Sequence, residues 1–244
     1  MNLRRFVLAL AGMAMLAAIF AGNAAAKVET LETHWWIEGK GKLKAGETEF
    51  VKCSIGEHPA GEKKLVLSSV VLGVPIKITA TGIDCINHEG EVGANGTAKI
   101  VQEGNSAQDR QRWHFTNVTV SEPANCEVEN GTILTNPLKS EVFHHSEKPE
   151  IIFKKFEPTP GFNFANIRIV GPNCPIAGVF PLKGFVYGEF ELRTKVFAVN
   201  QPLTFSEPVD VTAGSALTLG ANPAHLTGTL NTELAGVNAG KKWG

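Results

Sequence analysis

Apolar and polar positions alternate in short runs after Lys27, and the densest run is Lys64–Val92. Leu65, Val66, Leu67, Val70, Val71 and Leu72 are almost continuously apolar and too short for a capped helix. They predict a strand covered on both faces. Gly73 and Pro75 predict a break, because turns and edges tolerate them better than helices do. Ile76, Ile78 and Ala80 then alternate with Lys77 and Thr79, the period-two pattern of a half-buried strand. Ile83 and Cys85 follow, and Asn87, His88 and Gly90 predict a turn. The stretch reads as two strands of a structural core, since β-branched runs pack rather than react.

The same patterns predict strands within 31–39, 49–55, 93–102 and 113–120, with 103–112 as a polar loop. Asn95-Gly96 and Asn130-Gly131 lie between strand-like segments and supply the positive φ that tight hairpins require. After a polar break at 144–149, strands are predicted within 150–156, 162–170, 179–192, 195–199 and 203–211. Pro181, Gly184 and Gly188 predict bends or an edge in the third of these. The Gly/Ala/Asn/Thr-rich tail from Thr212 predicts short strands at 216–219 and 225–230. No 3.6-residue periodicity is sustained after Lys27. The expected fold is therefore all-β, an antiparallel β-sandwich or β-barrel-like single domain over 27–244.

The start of the chain changes the picture of where this domain works. Arg4 and Arg5 precede an apolar stretch from Phe6 to Ala21, and Ala24-Ala25-Ala26 offers a cleavage site. Residues 1–26 thus read as a signal peptide, and its apolar stretch is short for a membrane span. The expectation is a secreted, extracytoplasmic protein, associated with the cell envelope or free. It is not an integral membrane protein after cleavage, because no second apolar stretch approaches spanning length. Removing Arg4 and Arg5 takes the formal net charge from −1 to −3. No basic patch interleaved with aromatics is present, which argues against nucleic acid as a partner. Cys53, Cys85, Cys126 and Cys174 are the four cysteines. An even count in an exported chain predicts two disulfides, with three pairings open. None has the spacing of a zinc site.

Candidate chemistry is sparse. G-x-S-x-G, H-E-x-x-H and P-loop motifs are absent. His88-Glu89 lacks the second histidine of a zincin. Asp84, Asp109 and Asp210 are the only aspartates, which argues against a calcium loop. The adjacent pair His144-His145 would point to opposite faces of a strand, so it does not make a metal site there. No catalytic residue, metal ligand or cofactor is assigned. Trp35, Trp36 and Trp113 are the candidate ligand-binding residues, because flat aromatic faces suit the apolar face of a sugar ring. One of Trp35 and Trp36 must point inward on a strand. Asn95, Asn117 and Asn130 match the N-glycosylation pattern, two of them at the turns already read.

Several short features recur together: Cys85 before a Gly-bearing turn, an F-T stretch at Phe115, and Cys126 before a hairpin and Thr135. Cys174 before a glycine and a Gly-rich end closing in Gly240 and Trp243 complete the set. In these features the chain resembles a loose group of exported, β-rich proteins of high-GC Gram-positive bacteria with no assigned function. The resemblance implies export and fold class, and no activity. Members of that group often carry a cysteine where Val118 stands, paired with the equivalent of Cys126. This chain has Cys53 instead, so the resemblance implies Cys53–Cys126 and Cys85–Cys174. The functional expectation is an exported, non-enzymatic binding or envelope-associated protein. Its candidate partners are a cell-wall glycan, a small apolar ligand or another protein. The alternatives are a secreted hydrolase acting on polysaccharide or ester, and a structural cell-surface component.

Overall fold

The computed structural model describes residues 33–57, 61–87, 98–144, 152–190, 197–206 and 216–244. The signal-peptide reading, Asn95-Gly96 and His88-Glu89 lie outside these residues, as does the side chain of His144 with all of His145. The described chain is antiparallel β-structure with short 3-10 turns. Its strands are β1 (Trp36–Ile37), β2 (Gly41–Lys42), β3 (Thr48–Ile55), β4 (Leu65–Val71), β5 (Val74–Asn87), β6 (Ala98–Glu103), β7 (Ser106–Glu122), β8 (Glu127–Val128) and β9 (Ile133–Leu134). They continue with β10 (Leu138–His144), β11 (Ile152–Pro158), β12 (Ala165–Val170), β13 (Gly178–Lys183), β14 (Val186–Phe190), β15 (Asn200–Phe205), β16 (Thr218–Leu219) and β17 (Asn222–Leu234).

Two long strands organise the sheet. Along one side of β7, β6 pairs with its start and β5 with its remainder; along the other side come β10 and then β9. Along β17 the order is β4 then β3 on one side, and β16 then β15 on the other. Two rings therefore share β7 and β17. The first runs β7-β6-β3-β17-β15-β14-β11-β10 and back to β7. The second runs β7-β5-β4-β17-β16-β13-β12 and returns to β7 through the Thr135–Ala165 bridge beside β9. The eight strands of the first ring make a near-closed, barrel-like ring within one large antiparallel sheet, and such closure leaves few strand edges exposed. Gly228 sits where β17 changes partners, at φ 124°, and a Cβ there would strike the carbonyl oxygen of Lys64 and the side chain of Leu65.

Several expectations change in physical detail. β4 is buried on one face only: Leu65, Leu67, Ser69 and Val71 point inward while Val70 is exposed. The β4–β5 hairpin turns at Leu72 and Gly73, both at positive φ, the mirror-type turn that matches strand twist. The expected polar loop 103–112 is strand instead. Glu103 faces Ser106 across a two-residue turn, and the start of β7 alternates with Ala107, Asp109 and Gln111 inward. The predicted strand 179–192 breaks at Gly184 into β13 and β14, which belong to different rings. Asn130 and Gly131 do adopt positive φ, but β8 and β9 on either side pair with β12 and β7 rather than with each other.

The disulfide pairing expected from the resemblance is corrected. Cys53 joins Cys85, with Cα atoms 5.2 Å apart, and Cys126 joins Cys174, at 5.0 Å. β3 is held on β17 and β6, and β5 on β4 and β7; the two lie side by side, with no ladder between them, where the rings meet, which brings Cys53 to Cys85. Cys126 precedes β8, the partner of β12, and Cys174 follows β12. Both bridges thus connect chain that the ladders already hold close.

Candidate functional site

Trp113 lies at the junction of the rings and is only 1% exposed. Its ring packs on Phe156 (centroids 4.7 Å), Phe164 (5.7 Å), Phe205 (5.9 Å) and Phe115 (6.0 Å). Trp35 is 4% exposed, stacks near Trp243 at 5.4 Å and donates its Nε1–H to the Gln108 carbonyl at 3.1 Å. Trp36, 50% exposed on β1, is the one tryptophan of the three with a face toward solvent. The three do not form a common platform. Trp243 bridges Ile37 and Ala198, so the Gly-rich end of the chain is tied down beside Trp35. Among the described residues, no group of three or more His, Cys, Asp or Glu is placed to hold a metal ion.

The interiors of the two rings differ. The first buries Gln102, Asp109, Gln111, Ser140, Lys154 and Gln201. At its centre Lys154 Nζ contacts Asp109 Oδ2. The two residues are 3% and 2% exposed. Lys154 Nζ also lies 4.8 Å from the Trp35 ring centre and 5.5 Å from that of Phe156. Burial pushes the Lys154 ammonium below the usual lysine range, and the charge and hydrogen bond of Asp109 oppose the shift. Between them on β10, Ser140 Oγ accepts the Asp109 backbone N–H at 2.9 Å. Ser140 is small, which lets Lys154 on β11 reach over β10 to Asp109 on β7.

The second ring is mostly apolar inside, with Ser69 and Thr135 among its buried residues. A cavity of about 40 Å³ remains among Leu67, Ile78, Phe115, Phe164, Ile167 and Leu226. That space holds about one or two waters, far below the ~300–1,000 Å³ of a ligand pocket.

A larger concavity, about 830 Å³, opens on β4, β5 and β17. Ser68, Thr227 and Ser206 line it with hydroxyls, and Glu62, Lys64, Lys77 and Glu122 supply charge of both signs. Lys77 and Glu122 stand opposite one another across β5 and β7. Lys64 Nζ lies 2.5 Å from Glu62 Oε2. Val66, Pro75 and Ile76 contribute an apolar floor. A second charged cluster lies on β10 and β11, where Glu157 meets Lys155 at 2.5 Å and Lys139 at 3.0 Å. Burial alone would raise the Glu157 carboxyl, but hydrogen bonds from Lys155 and Lys139, and their charges, hold it below its usual range. Burial raises the nearby Tyr187 phenol, with the charges of Glu157 and Glu141 adding to it.

Sequence reasoning missed both the cleft and the buried pair. Asp109 and Gln111 break the hydrophobic alternation that marks a strand, so their segment read as a loop. Gly104-Asn105 between Glu103 and Ser106 was the signal that could have placed a hairpin there. Nothing local marks Lys154, which stands beside Lys155 in the sequence and differs from it only in the face it occupies.

No protein-family model matches the chain, no curated protein is similar to it, and no solved structure matches it. All four cysteines are paired, which points to an oxidising environment. Among the described residues no helix is long and apolar enough to cross a membrane.

Proposed function

We propose that the protein is an exported, non-enzymatic binding protein that engages cell-wall glycan at its outer face. The observation that carries this reading is the contrast between the two concavities. The apolar interior cavity is too small for a ligand, which disfavours a carrier of small apolar molecules. The outer cleft is large, open and lined by hydroxyls with lysine–glutamate pairs over an apolar floor. Such a lining suits a hydroxylated polymer that carries both acidic and basic groups. Export rests on the basic and apolar pattern of residues 1–26 and agrees with the paired cysteines.

The cleft also holds two carboxylates, Glu62 and Glu122, the observation on which a polysaccharide hydrolase would rest. Both are exposed, and Glu62 is engaged by Lys64. A general acid needs apolar surroundings that raise its carboxyl toward neutral pH. Binding without turnover is therefore the better reading.

Co-sedimentation of the purified protein with insoluble bacterial cell wall tests it. Saturable binding that Ser68→Trp weakens at least about tenfold, a loss of roughly 1.4 kcal/mol, is expected. Release of soluble sugar by the protein would turn the reading to the hydrolase. Absence of binding would remove the glycan.

A further inference from the structure

The buried pair in the first ring is poorly satisfied as an ion pair. Asp109 Oδ1 has no hydrogen-bond partner among the described residues, while Oδ2 contacts Lys154 Nζ. The rings of Trp35 and Phe156 wall the ammonium. A buried ion pair offsets its desolvation only when the remaining lone pairs are also satisfied. A buried carboxylate oxygen left unbonded bears its full desolvation cost. Water exclusion therefore favours any state of this pair that removes both charges.

We propose that Lys154 and Asp109 condense to an amide, a covalent cross-link that joins β11 to β7 across β10. The pair already contains every atom required. One proton passes from the ammonium to the carboxylate, leaving an amine and a carboxylic acid. The Nζ lone pair attacks Cγ and the Cγ–N bond forms. The Cγ–OH bond breaks, and the hydroxyl leaves with a second proton from nitrogen as one water molecule. No electron is transferred and no co-reactant is needed. Burial pushes Lys154 toward the neutral amine, the form that attacks a carboxyl carbon. Contact between the two groups removes the entropy cost of bringing them together. The aromatic wall keeps water from returning to hydrolyse the product.

The cross-link is independent of any ligand at the outer cleft, so its test does not depend on the proposed function. The test is the mass of the purified, disulfide-reduced protein together with its tryptic map. The expected result is a chain lighter than its sequence by the mass of one water. Trypsin should yield residues 100–110 joined through Asp109 to residues 140–155, uncut at Lys154. Lys154→Arg and Asp109→Ala should restore the sequence mass and the two separate peptides. A wild-type chain at its full sequence mass, with cleavage after Lys154, would overturn the cross-link and leave an ion pair. The wild-type measurement decides even if both variants fail to fold.

Discussion

Trp113 shows how one side chain can hold two cores together. It touches aromatic residues of both rings, yet its Nε1–H has no partner among the described residues. Trp113→Ala should lose about 3–5 kcal/mol, the cost of removing a large buried aromatic. Trp113→Phe should lose much less, because it keeps the ring and removes the unbonded donor. Urea unfolding of the two variants checks this, and equal losses would contradict it. Glu157 gives a pH-dependent counterpart. Its folded carboxyl is held below the usual value of 4.5. Its contribution to stability is therefore present above about pH 4.5 and lost as pH falls through the lower folded value. Glu157→Gln should flatten the acid limb of a stability–pH curve by a small amount, since the group is largely solvent-screened. An unchanged acid limb would show that the lysines do not hold the carboxylate in solution. Residue by residue, the sequence marked Trp113 as notable but could not tell an inward face from an outward one. It hid Asp109 altogether, because inward polar residues look like loop until the strand partners are known.

At the scale of elements, β7 is bonded partly by side chains. Where neighbouring strands diverge from it, the N–H of Ala107 donates to Thr33 Oγ1 (2.9 Å), that of Asp109 to Ser140 Oγ (2.9 Å) and that of Trp113 to Thr135 Oγ1 (2.8 Å). Hydroxyls thus complete the ladder where no backbone carbonyl arrives, as buried N–H groups require. Thr135→Val keeps the shape and strands the Trp113 N–H. It should cost about 1–3 kcal/mol and speed hydrogen exchange at that amide. Protection equal to wild type would mean that another acceptor replaces Thr135. The alternating runs made β3, β4 and β5 legible, since Val51, Leu67 and Ile78 are apolar where the ring is closed. The division of 179–192 was legible only as a bend at Gly184. That the bend sends β13 and β14 to different rings depends on β12, β16, β11 and β15, which no local pattern reports.

For the whole molecule, two rings on shared strands distribute stability unevenly. The first ring is closed by ladders throughout, although β10 meets β7 and β14 meets β15 by two residue pairs each. The second closes through short elements: β8 pairs two residues with β12, β9 two with β7, and one bridge links Thr135 to Ala165. A single bridge offers fewer cooperative contacts than even a short ladder, so the second ring depends more on covalent help. The Cys126–Cys174 bridge lies at that weak closure, whereas Cys53–Cys85 joins strands already anchored on β17 and β7. In the chain-entropy picture each bridge stabilises by a similar amount, roughly 2–4 kcal/mol, because their loops differ little in logarithm. The difference should therefore appear in where the molecule opens rather than in how much stability is lost. Replacing Cys126 and Cys174 together by serine should raise hydrogen exchange in β8, β9 and β12 while β10, β11, β14 and β15 stay protected. Replacing Cys53 and Cys85 should lower protection more evenly across both rings. Hydrogen exchange read by mass spectrometry on both double variants separates these outcomes. The same even loss in both would show that β7 and β17 couple the rings into a single cooperative unit.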